Sequence, residues 1–411
     1  MILFLLCEIS IVKFYKTYYI LNTNNLKKLF IYKYIRNLFG VPLANSVILG
    51  VKKEEDPSEN RVSIVPKDIK AINTLGIVVN VEKGAGIKAG YSDEEYNNFG
   101  ATVLEKLSED TNLVTSVNAF YDKNSKFIKN SFIISLSDIR TNKDISKTCI
   151  ENSLSLFAME FVPRIARAQK LDALSSQASI AGYRAGLIAA TSLKKYLPLM
   201  MTAAGTIPPS SILVLGAGVA GLQAIATTKR LGADVTGYDI RLAAGEQIES
   251  LGAKFISDEV PEDTETKGGY AKEQSQDKQI SQLEFLKEYI LKSDAVITTA
   301  AIPGRKAPIL IEKTTVEQMK PGSVIIDLSA SSGGNCEYTK LGEVVNINGT
   351  LINGPKNLSS DMAYDASIVY SKNIFGLLEI IMEEKQININ FEDEIIDAML
   401  VFENGKSRIE E

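Results

Sequence analysis

Residues Ser211–Gly221 constrain this chain more than any other stretch: Ser-Ile-Leu-Val-Leu-Gly-Ala-Gly-Val-Ala-Gly. The apolar run Ile212–Leu215 leads straight into Gly216-x-Gly218-x-x-Gly221. A helical pattern follows through Leu222, Ile225 and Leu231. That order predicts a strand, a tight turn and a helix. Gly216 permits the turn, Gly218 lets backbone approach a pyrophosphate, and Gly221 lets helix and strand pack closely. The amides at the start of such a helix are free to meet phosphate oxygens. A second strand, Ala233–Tyr238, ends at Asp239, 23 residues after Gly216. A carboxylate there can accept from both ribose hydroxyls of NAD and would repel a 2′-phosphate. The competing interpretation is a structural glycine turn with a surface aspartate.

Composition narrows the chemistry. The 411 residues contain no histidine, which removes a histidine base, a histidine metal ligand and every histidine-containing triad. Cys7, Cys149 and Cys336 are far apart, so neither a disulfide framework nor a zinc site is expected. A net charge of −5 argues against broad nucleic-acid binding. No run of 18 apolar residues marks a membrane span. Residues 1–45 differ: they open Met-Ile-Leu-Phe-Leu-Leu and carry five Lys and one Arg against Glu8 alone. They resemble a targeting leader, with a mitochondrial or other organelle membrane as the expected address; an extension without that role is the alternative.

Along the rest of the chain strands alternate with helices, as in an α/β protein with largely parallel sheets. Strands are expected at 46–51, 77–81, 112–117 and 131–136, then at 212–215, 234–238, 295–298 and 324–328. Helices are expected from Lys67 to Leu75 (stopped by Gly76), from near Asp93, from Ile180 to Tyr196, and from Asp365 to Glu384. Residues 141–160 are ambiguous. The polar segment 257–282, centred on Thr266–Lys272, reads as a mobile loop. The expected organisation is a leader (1–45), a first Rossmann-like domain (46–195, completed by 355–390), a nucleotide-binding Rossmann domain inserted into it (196–354), and a tail (391–411). Long helices would join the two domains, with the cofactor cleft between them.

Several further motifs are specific together: Arg164-Ile-Ala-Arg-Ala-Gln-Lys-Leu-Asp-Ala-Leu-Ser-Ser-Gln177, Gly237-Tyr-Asp-Ile-Arg241, Glu265-Thr-Lys-Gly-Gly-Tyr-Ala-Lys-Glu273 and Thr298-Thr-Ala-Ala-Ile-Pro-Gly304. With the glycine turn, they make residues 46–405 resemble the NAD(H)-binding domain of proton-translocating nicotinamide nucleotide transhydrogenase, in the superfamily that includes alanine dehydrogenase. The resemblance implies direct hydride transfer from NADH bound here to NADP⁺ on a second soluble domain, coupled to proton movement by a membrane domain. Protein groups then only position the cofactors. It also implies roles. Arg164, Gln169, Asp172 and Ser175 would fix the nicotinamide and its ribose, Gln169 and Asp172 acting by positioning. Gly216, Ala217, Gly218, Val219 and Gly221 would line the pyrophosphate, and Asp239, Ile240 and Arg241 the adenosine ribose. Gly269 and Tyr270 would fold over the nucleotide, and Ala300 and Ala301 would border the adenine or a ribose. A homodimer is implied as well. Asp172 and Ser175 could equally be local helix caps. The sequence departs from the family at 112–130, at Ala301, where a larger aliphatic residue is usual, and at Ser359-Ser360-Asp361.

Two other functions fit parts of the sequence. An alanine dehydrogenase-like enzyme would use Arg61 for a substrate carboxylate, with Asp327 as a further counterpart. That chemistry also wants a lysine near 112–118 and a histidine near 134–138, where the sequence has neither. A non-catalytic NAD sensor is the third reading.

Overall fold

A computed structural model describes residues 46–119, 127–140, 142–258, 276–301 and 305–409. The leader 1–45, the segment around Thr266–Lys272 with Gly269 and Tyr270, and Ile302–Gly304 lie outside the described residues.

The first half contributes β1 (Val47–Val51), β2 (Ile77–Glu82), β3 (Thr102–Leu104), β4 (Leu113–Asn118), β5 (Phe132–Leu136) and β6 (Ser155–Ala158). All are parallel, in the order β3-β2-β1-β4-β5-β6. Between them run α1 (Ile69–Thr74), α2 (Asp93–Asn98) and α3 (Lys143–Asn152). Near-continuous apolar strands such as β1 suit a parallel sheet covered on both faces; Leu49 and Val51 are fully buried. α1 is preceded by a 3₁₀ turn over Pro66–Asp68 and ends at Gly76, whose φ of +86° favours glycine. α2 begins with a capping box, Ser92 and Glu95 each accepting from the other's backbone amide.

Helix α4 (Ala173–Ser192) then crosses to the second sheet. It starts seven residues earlier than the sequence pattern indicated, because Asp172 caps it, and ends four earlier, where Leu193 turns to extended backbone. An exposed hairpin of β7 (Met200–Thr202) and β8 (Gly205–Ile207) follows. The second sheet comprises β9 (Ser211–Leu215), β10 (Asp234–Tyr238), β11 (Lys254–Ile256), β12 (Ala295–Thr298), β13 (Val324–Asp327), β14 (Val344–Ile347) and β15 (Thr350–Asn353). Its order is β11-β10-β9-β12-β13-β15-β14, parallel except for β14. Its helices are α5 (Val219–Arg230), α6 (Ala244–Ser250), α7 (Gln276–Lys292) and α8 (Lys313–Val316). The first sheet thus carries the 3-2-1-4-5-6 order of dinucleotide-binding folds over β1–β6, and the second shares its 3-2-1-4-5 part, with β15 next to β13 and antiparallel β14 outside it.

Helix α9 (Ala363–Ile381) returns the chain to the first sheet. After the short hairpin of β16 (Met382–Glu383) and β17 (Gln386–Ile387) come α10 (Glu394–Met399), β18 (Leu400–Glu403) and β19 (Lys406–Ser407). β18 pairs antiparallel with β6, and Leu400, Val401 and Phe402 are buried. The segment read as a tail is therefore the closing edge of the first sheet. The apolar run Ala398–Phe402 is split between the end of α10 and β18, so the sequence does not announce a strand without knowing where β6 lies.

Candidate nucleotide site

The three glycines of the turn are used in different ways. Gly216 has φ +98°, and a Cβ there would lie 2.7 Å from Thr299 Oγ1 and 3.2 Å from the Ala300 nitrogen. A Cβ on Gly221 would lie 1.8 Å from the Gly216 carbonyl oxygen. Around Gly218, by contrast, no described atom lies within 4 Å of where a Cβ would stand. Gly218 is also the N-cap of α5 and offers no side-chain acceptor to the first amides of the helix. Two glycines therefore close the turn, and the third leaves an open surface lined with unmet N–H donors. That geometry fits a pyrophosphate. The turn lies between β9 and β12, where the strand order reverses, and Thr299 Oγ1 donates to the Gly216 carbonyl across that gap (3.0 Å). Ala300 and Ala301 follow directly, Ala301 exposed.

Asp239 stands beside the turn and is 6% exposed. Its Oδ2 accepts from the Ala217 amide (2.7 Å) and from Arg241 Nη2 (2.9 Å). Its Oδ1 accepts from the Arg241 amide and Nε, both 2.9 Å. A carboxylate has about four acceptor positions, so all are taken. From the sequence, both oxygens are expected to be available to a ribose. Instead they hold Arg241, and a ribose would have to take the place of guanidinium contacts.

The other group of expected residues lies at the start of α4. Ala166–Leu171 is a 3₁₀ helix, with Arg164 and Gln169 exposed. Asp172 caps α4: its Oδ1 accepts from the Ser175 amide (2.9 Å) and its Oδ2 from the Ser175 hydroxyl (2.5 Å). The capping alternative is thus realised in the geometry, and the same bonds fix the Ser175 hydroxyl with its lone pairs turned away from Asp172. Arg167 pairs with Asp393 and Lys170 with Glu379, which anchor this loop to the end of the chain and to α9.

Helix α4 connects the two groups. A Cβ on Gly182 would lie 2.1 Å from the Ala220 carbonyl oxygen in the first turn of α5. Seven residues separate Ser175 from Gly182, about 10 Å of helix. The loop at 164–175 and the glycine turn therefore hang from one packed helix pair.

Sequence reasoning missed a hub behind the turn. Asp327, fully buried, accepts from Thr298 Oγ1 (2.9 Å), the Ser329 amide (3.0 Å), the Asn335 amide (2.8 Å), the Cys336 amide (3.1 Å) and Thr339 Oγ1 (2.6 Å). Ser329 Oγ and Asn335 Nδ2 in turn donate to the Ala300 carbonyl. The acid at the end of a strand was the only signal, and it said nothing of the donors that converge on it. Here Asp327 shapes the loops beside Ala300.

Arg61 is also buried, but it is engaged. Its Nε and Nη2 form a two-pronged pair with Glu59 (2.8 and 2.7 Å), and Nη1 donates to Gln177 Oε1 (2.8 Å). A carboxylate of the chain itself thus occupies the face that a substrate carboxylate would need. Burial holds the Cys149 and Cys336 thiols up at about 12 and about 11, which leaves both unreactive. Among the described residues no cluster of metal-ligand side chains occurs, and no helix is long and apolar enough to cross a membrane.

Residues 50–181 match the alanine dehydrogenase/PNT N-terminal domain, and residues 185–410 match its C-terminal domain. The chain is 44% identical over 362 residues to the first part of NAD(P) transhydrogenase subunit alpha from Rickettsia prowazekii, covering 86% of this chain and 94% of that one. Identity to the protein of the same name from Rhodospirillum rubrum is 40% over 370 residues, covering 87% and 96%. Among solved structures, transhydrogenase from Sinorhizobium meliloti superposes with a TM-score of 0.76 at 38% identity, covering 88% and 98%. An L-alanine dehydrogenase shares the fold at 21% identity and TM-score 0.72, covering 88% and 96%.

Proposed function

The chain belongs to the alanine dehydrogenase/PNT family, and from that premise we propose that it is the NAD(H)-binding component of a proton-translocating, Re/Si-specific NAD(P) transhydrogenase. NAD(H) binds here and NADP(H) on a partner subunit. The single observation that carries the reading is the glycine turn, with Gly216 and Gly221 packed shut and Gly218 open beside Asp239.

In this reading the nicotinamide supplies the hydride, passed directly to NADP⁺ on the partner. The residues of this chain hold and orient. Ala217, Gly218, Val219 and the amides of α5 receive the pyrophosphate. Asp239 and Arg241, with Ile240 between them, meet the adenosine ribose. Ser175, fixed by Asp172, and the exposed Gln169 and Arg164 meet the nicotinamide end, where a carboxamide needs both donors and acceptors. Ala300 and Ala301 border the nucleotide, and Gly269 and Tyr270 cover it. A membrane-spanning partner carries the protons, so this chain sits at a membrane through its partners. We read residues 1–45 as the address of an organelle membrane, although the relatives named above are bacterial; a fusion of these residues to a fluorescent protein tests that, and a diffuse signal overturns it. The exposed apolar hairpin β7–β8, with Met201 77% exposed, supports a homodimer, to be tested by sedimentation.

The decisive experiment mixes the purified chain with the NADP(H)-binding subunit of a transhydrogenase and follows reduction of a nicotinamide analogue. Transfer is expected. NADH binding without transfer would favour a sensor instead. Alanine-dependent NADH production would favour an amino-acid oxidoreductase, which the Arg61–Glu59 pair argues against.

A further inference from the structure

We infer that Arg241 is a masked binding group for a phosphate monoester, and that Asp239 gives nucleotide selectivity chiefly by neutralising it. This rests on the reading of the glycine turn as an NAD(H) site. The turn after β10 places a guanidinium, 19% exposed, beside the position of the adenosine ribose. Guanidinium groups at this corner of dinucleotide folds are suited to a 2′-phosphate. Here Nε, Nη2 and the Arg241 amide all converge on Asp239, which the Ala217 amide holds from the other side.

A nucleotide with a free 2′-hydroxyl replaces guanidinium contacts on Asp239 with hydroxyl contacts, and no net charge is stranded. One with a 2′-phosphate meets a carboxylate that already holds the cation it needs, so it is repelled by the one and denied the other. The acid and the base therefore read the 2′ position as a unit. This matters for a component whose partner carries NADP(H), because the two nucleotides must not exchange seats.

The test measures NADH and NADPH binding by calorimetry to the full chain and to Asp239→Asn, Asp239→Ser, Arg241→Ala and Asp239→Asn/Arg241→Ala. Asp239→Asn keeps an acceptor for the Ala217 amide while removing the charge, and the shorter Asp239→Ser removes the charge alone. Both should gain about 10-fold or more in NADPH affinity and lose about 10-fold for NADH, from exchange of a charge-assisted contact. The Arg241→Ala change should abolish the NADPH gain in the double variant. Binding of 2′,5′-ADP against 5′-ADP reports on this corner without the nicotinamide end and should move the same way. The inference is overturned if neither Asp239 variant gains NADPH affinity, or if the gain survives without Arg241. Should Asp239→Asn not fold, Asp239→Ser carries the same comparison. If the unaltered chain binds neither NADH nor 5′-ADP, it is the nucleotide reading that fails; if it binds both and the variants do not shift, only the masked site does.

Discussion

At the scale of single residues, Glu54 shows how the first sheet handles a carboxylate that forms no ion pair among the described residues. Its oxygens accept from the Val117 and Asn118 amides (2.6 and 3.1 Å), beside an Arg61 already claimed by Glu59. Desolvation is the largest influence on it, the two amides oppose that, and its pKa is raised from 4.5 to about 7. Between those values the folded chain holds a proton that the unfolded chain has released. Stability therefore falls as pH rises from about 4.5 through about 7, and is level above. The residue as a whole is only half-buried, so the loss is about 1–3 kcal/mol rather than that of full desolvation. Urea unfolding at pH 5, 6, 7 and 8 should show that slope, and Glu54→Gln should flatten it; an unchanged slope would reject the assignment. Little of this was legible in the sequence. Lys52–Asn60 is a charged run that reads as a surface loop, and nothing in it shows that Glu54 and Glu59 turn inward. The glycine spacing, in contrast, was legible because each glycine answers a local backbone demand.

At the scale of elements, α4 was the hardest to delimit and is the one that organises the site. Its buried face, Gly182, Ala185, Gly186 and Ala189, lacks the large apolar residues that mark a helix, and polar Ser175, Ser176 and Gln177 at its start look like loop. Asp172 is what fixes the true beginning. The small residues make sense only against α5: a Cβ on Gly182 would meet the fixed Ala220 carbonyl at 2.1 Å, while one on Gly186 would stand 3.1–3.3 Å from side-chain carbons of Thr227 and Thr228. Helix propensity alone says that either glycine changed to alanine gains up to about 1 kcal/mol. Packing against fixed backbone should reverse that at Gly182, for a net loss of about 1–3 kcal/mol, and leave Gly186→Ala near neutral. Chemical denaturation of the two variants decides it; equal effects would mean that the helix pair adjusts freely. The strands β9, β12 and β13 were readable to within one residue because they are buried, largely apolar runs, and β10, Asp-Val-Thr-Gly-Tyr, because it lies at the expected distance after the glycine turn. β11, β14 and β15 were missed because they are three or four residues long and lie at or next to the sheet edge.

At the scale of the whole molecule, the second sheet is inserted into the first, and the chain passes between them on α4 and α9. Removing residues from Leu400 onward would expose the edge of β6 and discard the burial of Leu400, Val401 and Phe402, of order 5 kcal/mol. Such a chain should aggregate on size-exclusion chromatography; a soluble monomer of unchanged melting temperature would show that the closing edge is dispensable. The same insertion sets a schedule for synthesis. β6 leaves the ribosome with Ala158, and its neighbour β18 follows only at Leu400, after the entire nucleotide-binding sheet has emerged. At ordinary elongation rates that interval is about 10–50 s. For all of it the first sheet has an open flank, while the inserted sheet has every strand it needs once Asn353 has emerged. The nucleotide seat can therefore be finished before the sheet that surrounds it in sequence, and a strand made after it seals the sheet that was started before it.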